Sequence, residues 1–326
     1  MSKLATVYGG SGFVGRYIVR RLAKAGWRVR VAVRRPNEAI FVKPYGVVGQ
    51  VEPVFCNIRD DASVAAVMQG AEAVVNCVGT FDKGGKNNFE AVQHEGAKRI
   101  ARIAAEHGVA KMVHISAIGA DKNSETLYGT SKGLGEDGVL SHFPSALILR
   151  PSVVFGPEDD FFNRFANMTK FGPALPVIGA DTKFQPVYVD DVARAAMAGI
   201  EGDATGTYEI GGPDVNTFRE LMQEMLAVIQ RRRLVVNIPF FAGRIMGTSF
   251  DLLKRLSGGL IDGPVTADQV KSLGADNVVS PDAKTLADLG ITATSLEAVL
   301  PEYLWRFRPS GQYAAIKKSA ENLRSD

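Results

Sequence analysis

YGGSGFVGR, residues 8–16, closes an apolar run and opens an amphipathic one. The run LATVYGG reads as a β-strand, and Phe13, Val14, Ile18, Leu22 and Ala25 trace one face of a helix that stops at Gly26. Gly10, Gly12 and Gly15 satisfy G-x-G-x-x-G, while Gly9, Gly12 and Gly15 satisfy G-x-x-G-x-x-G. Such glycines let the backbone turn sharply and approach a pyrophosphate, whose charge the helix N-terminus stabilises. Any tight turn needs glycine, so the pattern draws its weight from standing between a strand and a helix. Gly9, Gly10, Ser11, Gly12, Phe13, Val14, Gly15 and Arg16 are the expected cradle of a dinucleotide.

The alternation continues outward from this turn. RVRVAVR, VEPVFCNI, AEAVVNCVG, KMVHIS and SALILRP read as further strands. Among the helical segments between them, DDASVAAVMQ stops at Gly70 and FEAVQHEGAKRIARIAAEH at Gly108. Continuous apolar strands separated by helices predict an α/β fold with a doubly wound parallel sheet. Beyond residue 150 prolines become frequent, at 151, 157, 173, 176 and 186, and DDVARAAMAGI and TYEIGG are expected to return to the sheet. A capping box, Thr217 to Glu220, then opens FRELMQEMLAVIQ. The expected organisation is a dinucleotide-binding domain over 1–212, with 150–185 contributing partly to a second lobe. A smaller, mostly helical lobe covers 213–305, and a tail over 306–326 orders against a partner.

The second strand should end beside the adenosine ribose. An NAD site places a carboxylate there to accept from the 2′-hydroxyl. Here Arg34 and Arg35 follow the strand, with no acid before Glu38. Two guanidiniums suit a 2′-phosphate, and Arg16 is placed to add a third, so NADPH is the expected cofactor. Solvated surface arginines are the plainer alternative. Asn57 and Ile58 end the third strand, where they would frame the adenine. Cys77, Val78 and Gly79 end the fourth, where small residues admit a cofactor.

The chain has 326 residues, 46% hydrophobic and 22% charged, with mean hydropathy near zero and a formal net charge of +3. That is an ordinary globular composition, and the charge gives no sign of nucleic-acid binding. Cys56 and Cys77 lie in apolar runs and read as buried free thiols of a reducing compartment. With a strand starting almost at Met1, no presequence is expected, and runs such as LVVNIPFFAG are about half a membrane span. The four histidines show no metal-ligand spacing with the cysteines.

YGTSK, 128–132, carries the chemistry that remains. Tyr128 and Lys132 share a helical face, where an ammonium can lower a phenol's pKa for proton transfer or both groups can simply hold a cofactor. The glycine turn, YGTSK, LRPSVVFGP (149–157) and PVYVDDVARA (186–195) together resemble the extended or atypical short-chain dehydrogenase/reductases. Longer stretches, HISAIGAD, YGTSKGLGE, RPSVVFGPEDDFFNRFAN and FQPVYVDDVA, resemble most the nucleotide-binding accessory subunits of respiratory complex I, the NADH:ubiquinone oxidoreductase. The resemblance implies cofactor contacts from Ile115, Ser116, Tyr128, Lys132, Pro151 and Val153 as well. It also places Ala117 where active members carry a substrate-orienting hydroxyl, so Tyr128 and Lys132 are expected to be a vestigial pair that binds without turnover.

Two functions stay open at this point. One is a non-catalytic, NADPH-binding accessory subunit partnered by complex I core subunits, peripheral on the cytoplasmic face of a bacterial inner membrane. The other is a free NADPH-dependent reductase or epimerase acting on a sugar nucleotide or small carbonyl compound. A weaker third is a redox-sensing regulator. From Arg231 to Leu256, basic residues interleave with Ile245, Met246, Leu252, Leu253 and Leu256. This basic amphipathic 231–256 segment is a candidate contact for phospholipid or an acidic partner, or simply packs its apolar face within the lobe while its charges are solvated.

Overall fold

A computed structural model describes residues 3–82, 84–256, 266–309 and 311, with backbone alone over 251–256. Seven parallel strands form one sheet: β1 (Leu4–Tyr8), β2 (Arg28–Val33), β3 (Val51–Phe55), β4 (Ala73–Asn76), β5 (Lys111–Ile115), β6 (Leu147–Pro151) and β7 (Gly206–Ile210). Their order is β7-β6-β5-β4-β1-β2-β3, reversing direction of travel beside β1. In such sheets ligands bind beyond the carboxyl ends of the strands at that reversal, where the glycine turn lies. The expected doubly wound α/β fold is what the chain adopts.

Helices cover both faces. α1 (Phe13–Lys24) packs with α5 (Val189–Ile200), tied by Arg21 to Asp190 at 2.5 Å. α2 (Asp61–Met68), α3 (Glu95–Glu106) and α4 (Leu127–His142) cover the other face, over a core that includes Ile100, Met112, Val139 and Ile148. The segment expected as one helix to Gly108 starts instead with a π-helical turn, Glu90–His94. That turn sits against α4, since a Cβ on Gly135 would fall 2.3 Å from the Gln93 carbonyl oxygen. Asp190 and Asp191 do start α5, where carboxylates complement the helix dipole.

The chain divides into two compact units. The first comprises 1–152, 189–211 and 279–293, and the second 153–188, 212–278 and 294–326. This differs from the expected 213–305 lobe, because 279–293 rejoins the first unit. The reason is hydrogen bonding along β7: Ser280 N donates to Glu209 Oε2 at 2.9 Å and Glu209 N to Lys284 O at 2.9 Å. Among the described residues the second unit is helical with three small strand pairs, including Leu234–Ile238 beside Ala174–Ile178. Its helix α6 (Phe218–Val228) begins at the expected capping box, and Phe218 packs among Phe161, Phe165 and Phe184. A further helix, α7, spans Phe240–Leu256. Of the tail, 310 and 312–326 lie outside the described residues.

Candidate functional site

The glycine turn is built by its own close contacts. Gly9 takes φ +74°, in the left-handed region open to glycine, and its amide donates to Ala32 O at 3.0 Å. A Cβ on Gly15 would lie 2.4 Å from Gly9 O, so this position brings α1 onto the turn. Gly12 caps α1 with no side-chain hydrogen bond, and the first turn of α1 carries no acid. The opening amides of α1 therefore retain donors for an anion. Beside them, Cys77 N donates to Tyr8 O at 2.9 Å, and the Cys77 carbonyl would meet a Cβ on Gly9 at 3.1 Å. Gly9 of the turn thus lies against Cys77 and Val78 at the end of β4. The turn fits a pyrophosphate.

The three arginines separate in role. Arg34 is exposed at the end of β2 and makes no hydrogen bond or ion pair with the described residues. Arg35 pairs with Glu38 at 3.0 Å on the open surface. Arg16 folds back, with Nη2 donating to Ser11 O at 3.1 Å and its guanidinium 4.8 Å from the Phe41 ring centre. Asn57 and Ile58 are engaged locally. Asn57 Oδ1 accepts from Arg59 N at 3.2 Å, and the Ile58 side chain lies under Gly96 of α3.

Beneath α4 lies a layer of polar groups that the sequence reading missed. Ser116 Oγ donates to Glu136, and Arg150 grips the same carboxylate through Nε at 2.9 Å and Nη2 at 2.6 Å. Arg150 Nη1 reaches Glu209 at 3.6 Å. The clue was present in helical spacing: Glu136 follows Lys132 by four residues, as Lys132 follows Tyr128, placing all three on one stripe. Lys132 is buried and its Nζ donates to Ile115 O at 3.1 Å. Burial pulls its pKa down to about 8, against the opposing pull of Glu136.

Tyr128 is held by aromatic rings. Phe81 stacks on it at 5.4 Å and 14°, and Phe89 meets it edge-on at 6.2 Å. Burial pushes the phenol up to about 12. Next to Lys132, His114 hydrogen-bonds Asn76 through Nδ1 at 3.1 Å, and desolvation lowers its pKa to about 3, so it is a neutral ring at physiological pH. Its Nε2 is buried without a hydrogen-bond partner among the described residues. Cys56 is buried and Cys77 half-buried, both free. Burial raises their thiols to about 11 and about 12, so neither is a thiolate at neutral pH.

Val153, expected at the cofactor, belongs to the second unit, whereas Ile115, Ser116 and Pro151 belong to the first. Ile118 N donates to Pro151 O at 3.0 Å and Ser116 N to Leu149 O at 2.7 Å, which ties the ends of β5 and β6 together. The 231–256 segment is not one amphipathic helix. Arg231–Arg233 carry no regular structure, Leu234–Ile238 form a strand, and only from Phe240 is the chain helical. Leu252, Leu253, Lys254, Arg255 and Leu256 have side chains outside the described residues. Among the described residues no helix is long and apolar enough to cross a membrane.

Comparison with known proteins adds to this geometry. Residues 5–211 match the NAD dependent epimerase/dehydratase family. The chain is 35% identical to NADH dehydrogenase [ubiquinone] 1 alpha subcomplex subunit 9, mitochondrial, of Arabidopsis thaliana, over 94% of this chain and 79% of that protein. It is 29% identical to ceramide reductase of Caulobacter vibrioides, over 72% of this chain and 74% of that one. A solved structure, the Bordetella bronchiseptica enzyme WbmH in complex with NAD+, shares the fold at TM-score 0.69 and 16% identity, covering 95% of this chain and 100% of that one. A glycine turn opening α1, a Tyr–Lys pair on α4 and near-full-length likeness to a complex I subunit converge. The chain belongs to the NAD dependent epimerase/dehydratase family and, within it, groups with the alpha subcomplex subunit 9 proteins of complex I.

Proposed function

We propose that this protein is an NADPH-holding accessory subunit of a respiratory complex I, contributing to assembly and stability of the peripheral arm through contacts with core subunits. The observation that carries the absence of turnover is the commitment of Ser116. Its hydroxyl, the one next to Ala117, is bonded to Glu136, which Arg150 already grips. A hydroxyl spent in a buried ion pair is not available to orient a substrate oxygen. Tyr128, under Phe81 and with its pKa raised, keeps its proton.

Gly9–Arg16 would hold the pyrophosphate, Arg34 the 2′-phosphate, and Lys132 with Tyr128 the nicotinamide ribose. The nicotinamide of NADPH supplies a hydride when a partner molecule accepts it. Here the protein's residues bind and orient the cofactor, and binding confined to the native state adds to its stability. The proposed location is peripheral, on the cytoplasmic side of a bacterial inner membrane, reached through its partners.

The test is affinity purification of a tagged chain from detergent-solubilised membranes, with co-eluting proteins and bound nucleotide identified. Co-elution of complex I subunits with unoxidised NADPH is the expected result. Recovery of the chain alone, or steady NADPH oxidation by the isolated chain with a carbonyl substrate, would overturn the proposal. A second reading, a free reductase, is favoured by the intact Tyr128–Lys132 spacing and by the likeness to a ceramide reductase. It predicts that Tyr128→Phe abolishes NADPH oxidation without loosening NADPH binding.

A further inference from the structure

The Arg16 side chain joins two pieces of the first unit that are separate in sequence. On one side is the glycine turn, where Nε donates to Gly12 O at 3.3 Å and Nη2 to Ser11 O at 3.1 Å. On the other is Phe41, its ring centre 4.8 Å from the guanidinium carbon, within the range where a cation is drawn to an aromatic face. Phe41 lies in a 3₁₀ stretch, Pro36–Tyr45, that leaves the end of β2 directly after Arg34 and Arg35. In this fold the pyrophosphate lies at the turn and the adenosine ribose beside the end of β2. Arg16 spans the interval between the two.

The ring is a fixed platform. Ala39 and Val42 are buried and root the 3₁₀ stretch, while Phe41 between them is 42% exposed. Further on, Gln50 Nε2 donates to Ala23 O at 2.6 Å and to Trp27 O at 2.9 Å, which ties the far end of the segment to the C-terminal end of α1. Arg16 stands in the first turn of that same helix. A long side chain loose on an open surface loses rotamer freedom whenever it meets an anion. One already laid between two carbonyls and a ring has lost that freedom on folding, and its planar fork keeps one orientation. Carbonyls and an aromatic face orient a guanidinium without removing its charge.

We infer that Phe41 is a specificity-determining position: it holds Arg16 beside the adenosine ribose, where the guanidinium joins Arg34 in meeting the 2′-phosphate of NADPH. This rests on the NADPH reading above and adds to it a positioning residue that touches no phosphate itself. The competing use of the contact is that the Arg16 stem merely covers an exposed ring. The test is calorimetric titration of the full chain with NADPH, NADH, adenosine 2′,5′-bisphosphate and 5′-AMP. The wild-type chain should bind each 2′-phosphorylated ligand more tightly than its counterpart. Phe41→Leu should weaken those two ligands roughly threefold, the scale of one exposed cation–ring contact, and leave NADH and 5′-AMP where they were. Phe41→Tyr should keep wild-type binding. Because Phe41 acts through Arg16, adding Phe41→Leu to Arg16→Gln should weaken binding no further. If the wild type prefers the phosphorylated ligands but Phe41→Leu keeps that preference, weakens all four ligands alike, or adds its full effect to Arg16→Gln, the inference falls and the NADPH reading stands. A wild type without that preference removes the NADPH reading, and this inference with it.

Discussion

The end of β2 and the layer beneath α4 belong to the same unit and treat charge in opposite ways. At the first, Arg34 stands exposed and uncommitted. At the second, Ser116, Glu136, Arg150 and Glu209 satisfy one another, and the Glu136 side chain is only 5% exposed. Unspent donors at a surface cost little and mark a place that can receive an anion. Buried charges are tolerated only when paired, so the second region is architecture first. The proposed function rests on this difference within one fold: an uncommitted cation at the surface, and a hydroxyl already bonded within a buried ion pair.

The strongest way to break that comparison is Glu136→Ala. It leaves the Arg150 guanidinium with Glu209 alone at 3.6 Å, and a loss of about 3 kcal/mol of unfolding free energy is expected in urea titration. Adding Arg150→Met together with Glu209→Gln should restore much of it, since no unpaired charge then remains; failure to restore would mean that the layer is not an ion-pair unit. Gly15→Ala comes next. Its Cβ must displace the Gly9 carbonyl from 2.4 Å, costing about 1–3 kcal/mol and abolishing nucleotide retention on gel filtration. Arg34→Ala should leave the melting temperature of the nucleotide-free protein unchanged while weakening NADPH binding by ~10-fold or more, the loss of one charge-assisted contact. NADH binding should hardly move, and Arg35→Ala should do less because Glu38 already occupies that side chain.

The smallest effect expected is a pH slope. Lys132 has its folded pKa pulled from 10.5 to about 8, so between those values the unfolded chain holds the extra proton. Stability from this residue should therefore rise with pH from about 8 towards 10.5, the burial cost being present in full below that window. Lys132→Met should flatten that part of the stability curve in denaturant titrations across pH.

The strands and the strand–glycine turn–helix were legible because they rest on local signals. Apolar runs of the first six strands, helix-stopping glycines and the spacing Gly10–Gly12–Gly15 each follow from a few neighbouring residues. Ser116 was legible as a position and opaque as a bond, because its partner Glu136 lies 20 residues on and Arg150 another 14 beyond. Only the sheet brings them together. The stacking of Phe81 on Tyr128 was hidden for the same reason, in a loop with no periodicity. In the basic 231–256 segment the helical spacing from Ile245 to Leu256 was legible and falls in α7, while the turn at Gln230 and the pairing of Leu234–Ile238 with Ala174–Ile178, which depend on distant residues, were not.

The backbone passes between the two units five times, the last return carrying 279–293 back to β7. During synthesis, then, the nucleotide-binding unit is unfinished until nearly nine-tenths of the polypeptide has left the ribosome. A fragment truncated after residue 211 would leave Glu209 without its Ser280 and Lys284 backbone contacts, and the sheet with a bare margin. That margin would stay bare on the nascent sheet until residues 279–293 emerge.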